Sequence, residues 1–127
     1  GHARPCPSYD QAQKLVSEQP AAAAWLLRKA AWKELGGFDT RFYPAWFEDV
    51  DFCRRMQDSD WEVFYFPHLP LIHQGGLALE HLSHPTFVGI FYKNLLRYLK
   101  KHHPHSYPML WLPVQGGMWV RRLFVRR

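Results

Sequence analysis

YPAWFEDVDFCRRM, residues 43–56, is the stretch around which the rest of the chain can be arranged. It places three carboxylates, Glu48, Asp49 and Asp51, within four positions among aromatic residues. From Glu48 to about Asp58 the apolar residues recur at helical spacing, and acids precede bases, as the dipole of a helix favours. The stretch therefore predicts a helix that begins at its acidic cluster, directly after an aromatic loop.

The predicted helix has one apolar face and one charged face. Asp49 lies on the apolar face, since residues three, four and seven positions apart share one side of a helix. The other members of that face are Phe52, Cys53 and Met56. Asp51 falls instead beside Arg54 and Arg55, at spacings that predict a solvated ion pair.

The two faces predict different roles for the carboxylates. At an apolar rim the charged form of Asp49 is disfavoured, which raises its pKa toward the range of a general base. The helix N-terminus lowers the same pKa, so the pattern does not decide the net shift. Glu48, at the first position, can cap the helix or reach a neighbouring loop. The alternative is that all three acids only complement the helix dipole, and both interpretations stay open here.

Four short motifs have the composition of metal sites, but none is predicted to be one. The two acids of DVD (49–51) point in different directions on a helix and cannot easily share a ligand. DSD (58–60) lies where the pattern predicts a turn. HLSH (81–84) and HHPH (102–105) lack cysteines and a helical His-Glu-x-x-His arrangement, so their histidines are expected at the surface.

His73 is a separate candidate, because it ends an extended apolar segment and precedes the glycine pair Gly75 and Gly76. Glycines let the backbone approach a ligand closely, and an imidazole at a strand end can bind a metal or a phosphate. A lone histidine is more often structural, and that interpretation stands beside the ligand-binding one.

Composition limits the class of protein. The 127 residues are enough for one domain with a real core, and 47% are apolar and 17% aromatic. The net charge of +5 favours partners that carry phosphate: nucleic acid, nucleotide sugars or an anionic membrane. Cys6 and Cys53 lack metal or redox spacing, so Cys53 is expected to be a small buried hydrophobe in a reducing compartment. No apolar run reaches the roughly 18 residues of a membrane-spanning helix.

The remaining elements follow from apolar periodicity and turn residues, and they predict a small α/β unit. We expect, in order, a buried strand at 21–27, a short helix within 28–39 that ends at a glycine pair, an aromatic loop at 40–47, a turn at 58–61, a strand at 62–66, an extended segment at 69–76 and a helix from Pro85 to about Lys101. The expected divisions are a tag remnant and linker at 1–20, a folded unit at 21–84, and a basic helix with an aromatic and arginine-rich tail at 85–127.

The basic helix and tail predict contact with an anionic membrane. The polar stripe of the helix carries Lys93, Arg97, Lys100 and Lys101. The tail contains both aromatic residues and arginines, and Trp111 and Trp119 suit the level of lipid head groups. The alternative is a solvated helix face and a tail that packs on the domain or on a partner chain.

Four segments together resemble the C-terminal half of family 2 glycosyltransferases of the GT-A fold, and bacterial rhamnosyltransferase-like enzymes most closely. The segments are LLRKAAWKELGGFDTRF, FEDVDFCRRM, WEVFYFP and LIHQGG, within Ala22 to Lys101 and in the family's order. The resemblance implies a short mixed sheet with flanking helices and a C-terminal amphipathic helix, which together form the acceptor-side part of the fold.

The resemblance also implies roles for single residues. Asp49 occupies the position of the catalytic base that deprotonates the acceptor hydroxyl. Glu48 and Trp46 would bind the acceptor, and His73 would help hold a metal. His73, Gly75 and Gly76 would bind the donor diphosphate.

By the same resemblance the reaction is an inverting single displacement, supported by a divalent cation, Mg or Mn. The donor is a nucleotide-diphosphate sugar, with rhamnose as the family-level expectation, and the acceptor is a saccharide or a polyprenyl-linked molecule of the cell envelope. The expected location is the cytoplasm, at the inner face of the plasma membrane. The YPAW loop departs from the family's aromatic segment, and the nucleotide-binding half is missing, so the chain alone is expected to be inactive.

Two readings from other classes stand beside this one: a basic module that binds nucleic acid and a membrane-surface adaptor without catalysis. Core-like alternation of aromatic and aliphatic residues, and the lack of a nucleic-acid motif, disfavour the former. An exposed sheet edge would allow a second copy of the chain to pair with the first.

Overall fold

The computed structural model describes residues 13–15, 22–65, 72 and 82–124. Two short strands and four helices occur in these ranges: β1 (Gln13–Leu15), α1 (Lys29–Glu34), α2 (Glu48–Gln57), β2 (Val63–Tyr65), α3 (His84–His102) and α4 (Tyr107–Phe124). A single 3₁₀ turn, Thr40–Phe42, precedes α2.

The two described strands pair antiparallel, with Gln13 opposite Tyr65 and Leu15 opposite Val63. Strand β2 confirms the strand predicted at 62–66. Strand β1 lies within the segment predicted as tag remnant and linker, so part of that segment is structured. The GT-A architecture itself stays a prediction, because one strand pair does not define a fold.

The strand predicted at 21–27 is wrong. Ala22 to Ala24 form an exposed turn, and the residues from Trp25 to Arg28 belong to no regular element. The segment is not the buried strand expected from its apolar composition, because Leu26 is fully exposed between Trp25 and Leu27, and the described sheet pairs β1 only with β2.

Helix α1 and its glycine stop confirm the prediction for 28–39. Gly36 and Gly37 have φ values of 73° and 68°, a left-handed conformation that favours glycine. The N–H of Gly37 donates to the carbonyl of Trp32 over 2.9 Å, which closes the helix end. A Cβ on Gly37 would lie 2.7 Å from the Trp32 ring, so this position also requires glycine for space.

The core lies where α1 meets α2. Ala31, Phe52 and Met56 are buried at its centre. Partly buried residues surround them: Trp25, Leu27, Leu35, Phe38, Trp61 and Val63. Phe38 and Phe52 make an edge-to-face contact with ring centroids 5.6 Å apart, a favoured aromatic geometry.

Cys53 is buried on the apolar face of α2, which confirms the expectation of a small buried hydrophobe. Burial raises the pKa of its thiol to about 11, and the nearby Asp49 charge acts in the same direction. The thiol therefore stays protonated near neutral pH.

Helix α3 confirms the prediction for Pro85 to about Lys101. Its cap is Ser83, whose hydroxyl accepts from the N–H of Thr86 over 3.4 Å. The tail after it is not irregular: Tyr107–Phe124 form α4, although Pro113 lies inside it. The sequence pattern did not predict this helix, because Pro108 and the glycine pair at 116–117 disfavour helical structure. None of the described helices is long and apolar enough to cross a membrane.

Candidate functional site

The aromatic loop ahead of α2 is fastened to α3 by one side chain. Asn94 is fully buried, and its amide nitrogen donates to the carbonyls of Phe42 over 2.6 Å and Ala45 over 2.7 Å. A third, longer contact of 3.4 Å reaches the carbonyl of Trp46. Because one amide satisfies carbonyls along the whole loop, the loop's backbone path depends on α3.

The loop ends in two residues with unusual backbone conformation. Trp46 and Phe47 have φ values of 66° and 74°, in the left-handed region that side chains other than glycine rarely adopt. Such conformations persist only where the surroundings enforce them, and they cluster at functional sites. Packing enforces them here: the Trp46 ring lies 4.3 Å from that of Phe87, and Phe47 lies 5.4 Å from Phe91.

A second hydrogen-bonding residue of α3 supports the same loop. The guanidinium of Arg97 donates to the carbonyl of Arg41 and, over 3.0 Å, to the side-chain oxygen of Asn94. Arg97 therefore orients the Asn94 amide as well as the start of the loop. Part of the basic stripe predicted on α3 is engaged by the protein itself.

Asp49 lies in the first turn of α2, half-buried, as the helical pattern predicted. One carboxylate oxygen accepts from the backbone N–H of Val50 over 2.8 Å, and the other accepts from that of Ala22 over 3.2 Å. Within the described ranges it has no ion pair with a basic side chain. A carboxylate oriented by two backbone donors, with remaining lone pairs, can accept a proton from a ligand.

Glu48 precedes it and has the more perturbed environment. Burial raises its pKa, the nearby charge of Asp49 raises it further, and a backbone hydrogen bond opposes both. Its Oε2 is buried and has no hydrogen-bond partner among the residues that the structure describes. A carboxylate with a raised pKa and an unsatisfied oxygen is typical of ligand-binding positions.

Asp51 is not on a solvated face, so that prediction is wrong. Its side chain is fully buried and is held by the Arg55 guanidinium at 2.9 Å, the Lys101 ammonium at 2.6 Å and the His102 ring at 2.7 Å. Burial alone would raise its pKa, but the hydrogen bonds from Lys101 and His102 and the charges of Arg55 and Lys101 together lower it. Helical spacing could not reveal this, because two of the three partners belong to α3.

The two arginines of α2 have separate partners. Arg55 also donates to the carbonyls of Leu35 and Gly37, the latter over 2.7 Å, and so satisfies the end of α1. Arg54 pairs with Asp58 at 2.9 Å instead of Asp51, and both of these side chains are substantially exposed. The expected pairing is therefore right for Arg55 and wrong for Arg54.

Lys101 joins this cluster to the loop. Its ammonium lies 2.9 Å from Asp39, which also pairs with Arg41. Hydrogen bonds from Arg41 and Lys101 hold the pKa of Asp39 well below its ordinary value, against the opposing effect of burial. The C-terminal end of α3 thus contacts both ends of the segment from Asp39 to Asp51.

The structure leaves part of the predicted site open. His73, Gly75 and Gly76 lie outside the described residues, so their predicted metal and diphosphate contacts stay predictions. Within the described ranges, no three His, Cys, Asp or Glu side chains come together to hold a metal ion. The described donor set therefore does not form a metal site by itself.

The sequence pattern did not predict the contacts of three residues that hold the loop and α2 in place: Asn94, Lys101 and His102. Asn94 is a polar residue inside an apolar helical stripe, and that interruption was the available signal. His102 was expected at the surface, but its side chain is only 9% exposed and it contacts Asp51. Nothing local distinguishes it from His103, which is exposed.

Two curated proteins are similar to this chain: the N-acetylglucosaminyl-diphospho-decaprenol L-rhamnosyltransferases of Mycobacterium tuberculosis strains CDC 1551 / Oshkosh and ATCC 25618 / H37Rv. Each is 28% identical over 116 residues, covering 88% of this chain and 33% of the relative. The chain thus spans about a third of the length of the curated relatives it matches. This similarity supports a distant relationship to glycosyltransferases. No protein-family model matches the chain, and no solved structure does.

Proposed function

We propose that this chain is the acceptor side of an inverting glycosyltransferase, with Asp49 as the catalytic base. The observation that carries the proposal is the half-buried Asp49 carboxylate, oriented by two backbone donors beside a strained aromatic loop. The 28% identity to a rhamnosyltransferase supports the reaction class. Rhamnose as the sugar, and a saccharide linked to a polyprenyl diphosphate as the acceptor, follow the activity of that relative.

In this mechanism Asp49 takes the proton of the acceptor hydroxyl while that oxygen attacks the anomeric carbon of the donor. The bond from that carbon to the nucleoside diphosphate breaks in the same step, so the configuration inverts. The backbone donors of Ala22 and Val50 orient the carboxylate, which lowers the entropic cost of a productive approach. Glu48 and Trp46, adjacent to the base, contact the acceptor.

The donor side belongs to residues beyond those described. A divalent cation, when bound, would stabilise the departing diphosphate, and His73, Gly75 and Gly76 are the proposed contacts in this chain.

A membrane location at the inner face of the plasma membrane is part of the proposal. Five large apolar side chains recur at helical spacing along α4 and are 54% to 74% exposed. They are Met109, Leu112, Trp119, Val120 and Leu123. Arg121 and Arg122 flank them, and this combination of apolar and basic residues is typical of helices that lie on anionic membranes. A membrane-surface adaptor without catalysis is the second candidate on the same observation.

The test of the catalytic role uses a protein in which this chain is joined to a nucleotide-binding half. Release of nucleoside diphosphate is followed from candidate nucleotide sugars with a polyprenyl-linked acceptor. Asp49→Asn should lower kcat by roughly 10²- to 10⁴-fold, the usual contribution of a general base. Donor binding should be unchanged, because Asp49 contacts the acceptor.

Asp58→Asn is the matched control, since it removes one carboxylate at the exposed end of the same helix. It should retain full turnover. Equal turnover of both variants and the native protein would contradict the role of Asp49, whereas no turnover in the native protein would favour the adaptor.

A further inference from the structure

A groove lined by cations runs between α3 and α4, away from the candidate base. Its volume is about 430 Å³. The polar groups along its walls are Lys93, Arg97, Lys100, Tyr107, Gln115 and Arg122. No carboxylate is among them, so the groove presents positive charge and neutral hydrogen-bonding groups only.

An adjoining hollow extends the groove toward the start of α3. It has a volume of about 540 Å³, shares Gly89, Lys93 and Arg122 with the groove, and reaches Pro85 and Thr86. The first turn of a 19-residue helix carries partial positive charge, which adds to the side-chain cations. The two hollows together form one concave basic surface.

The charge of this surface is not neutralised by the protein. Every carboxylate side chain of the sequence lies at or before Glu80, whereas half of its lysines and arginines follow that residue. Arg97 is occupied by the aromatic loop, but Lys93, Lys100 and Arg122 have no ion pair within the described part of the chain. Gathered cations without counter-charge repel one another, and such surfaces attract multiply charged anions.

Arg122 approaches α3 closely at Gly89. A Cβ at that position would lie 2.9 Å from Nη2 of Arg122, so the flexible end of this side chain would have to shift. Gly89 lies inside a helix, where alanine is normally the more stable residue. Glycine at residue 89 thus allows the Arg122 guanidinium to lie against α3.

We infer that this basic groove binds the diphosphate head group of a membrane lipid, an inference that rests on the proposed function. Three unpaired cations match the several charges of a diphosphate better than the single charge of an ordinary phosphodiester lipid. Arg122 and Trp119 are three positions apart and are neighbours on the surface of α4. The groove therefore borders the exposed apolar face, where a lipid tail would enter the bilayer.

The test uses the 127-residue chain and three kinds of vesicle: phosphatidylcholine alone, and the same lipid with either phosphatidylglycerol or a long-chain prenyl diphosphate at equal surface charge. Sedimentation with the vesicles measures binding. The chain should prefer the diphosphate vesicles. Exchanging Lys93→Gln and Lys100→Gln together should weaken that binding by roughly thirty-fold, as expected for two lysines near an anionic surface.

The matched control is Lys29→Gln with Lys33→Gln in α1, which makes the same charge change at exposed positions outside the groove. It should weaken binding by less than about two-fold, because the charges lie far from the anion and are screened by salt. Gly89→Ala adds a variant of unchanged charge. It should retain or gain thermal stability, yet bind diphosphate vesicles up to about two-fold more weakly, because the end of Arg122 must shift.

Equal losses in the groove and α1 variants, or equal binding to the two anionic vesicles, would overturn the inference in favour of diffuse attraction. Inorganic pyrophosphate should compete only at high concentration. If pyrophosphate alone binds as tightly as the lipid, the ligand is free diphosphate and the lipid assignment is overturned. Groove-dependent binding of diphosphate vesicles by a protein that lacks transferase activity would overturn the proposed function and leave this inference standing.

Discussion

Three neighbouring carboxylates in one helix have three different environments. Asp49 is oriented by backbone donors, Glu48 has a raised pKa and an unpaired oxygen, and Asp51 is buried among Arg55, Lys101 and His102. Asp49 and Glu48 are available to a ligand, whereas every contact described for the Asp51 carboxylate is made with other side chains of the protein. The environment of Asp51 is therefore decided by α3, a helix that begins more than thirty positions later.

Asp51 should make the stability of the chain depend on pH. Because its pKa is lowered in the folded state, its stabilising contribution is complete above the unfolded pKa of about 4 and is lost as the pH falls through the lower folded value. Asp51→Asn should reduce the free energy of unfolding by about 1–3 kcal/mol at pH 7, since it removes the charged partner of Arg55 and Lys101 and weakens the contact with His102. Chemical denaturation at pH 7, 5 and 3 measures this, and the difference from native should shrink at pH 3.

Asp58→Asn is the control, because its ion pair with Arg54 is exposed and contributes at most about 1 kcal/mol. A loss of stability for Asp51→Asn that is the same at all three pH values would contradict a stabilising role for the ionised Asp51 carboxylate.

At the scale of elements, α3 acts as the support of the aromatic loop. Asn94 and Arg97 hold loop carbonyls, and Phe87 and Phe91 pack against the loop's rings. The loop lies immediately before α2, so its backbone path also positions the start of that helix, where Asp49 lies.

Asn94→Ala should release the loop. The carbonyls of Phe42 and Ala45 lose their donor, as does that of Trp46 if its longer contact counts. Each unsatisfied carbonyl lowers the free energy of unfolding by at most about 1–3 kcal/mol. Amide hydrogen exchange should become faster at residues 45–47, and, in the joined enzyme, the KM for the acceptor should rise with donor binding unchanged. Asn94→Asp should fail to restore the loop, because a carboxylate cannot donate to carbonyls.

Lys100→Ala, an exposed change on the same helix, should leave exchange in the loop at the native rate. Faster exchange throughout α1 and α2 in the Asn94→Ala protein would indicate general destabilisation and would contradict a specific hold on the loop.

The sequence pattern correctly predicted those elements whose structure depends on residues of the same segment. The helix that begins at Glu48, the glycine stop at Gly36 and the long helix from Pro85 all follow from periodicity and caps within their own segments. The burial of Asp51 could not be predicted, because it results from side chains fifty positions away. Helix α4 was missed because Pro108, Pro113 and the glycine pair at 116–117 break the local pattern, while packing against α3 supplies the stability that propensity lacks.

On the scale of the whole chain, the negative charges and the exposed apolar face are separated along the sequence. The carboxylates belong to the first eighty residues, and the exposed apolar face belongs to α4. The opposite side of α4 packs on α3, where Gly117 allows close contact with Tyr92. The separation predicts that α4 meets a membrane without disturbing the core at α1 and α2.

Exchanging Leu112→Gln and Leu123→Gln together should therefore separate stability from membrane binding. Both side chains are about two-thirds exposed, so the free energy of unfolding should change by less than about 0.5 kcal/mol per site. Binding to phosphatidylglycerol vesicles should fall at least about ten-fold, through lost apolar burial. Val88→Ala, a buried change in α3, is the opposite control and should lower stability with little effect on vesicle binding.

Asn94 fixes the aromatic loop through hydrogen bonds to backbone carbonyls, which are present whatever side chains the loop carries. Because the loop is shaped through main-chain atoms, its outward side chains do not determine its path, and Tyr43 is 82% exposed. Replacing Tyr43 or Ala45 should therefore change the surface that the loop exposes while its backbone path stays constant. Under the proposed function, such an arrangement would let new acceptor preferences evolve one substitution at a time.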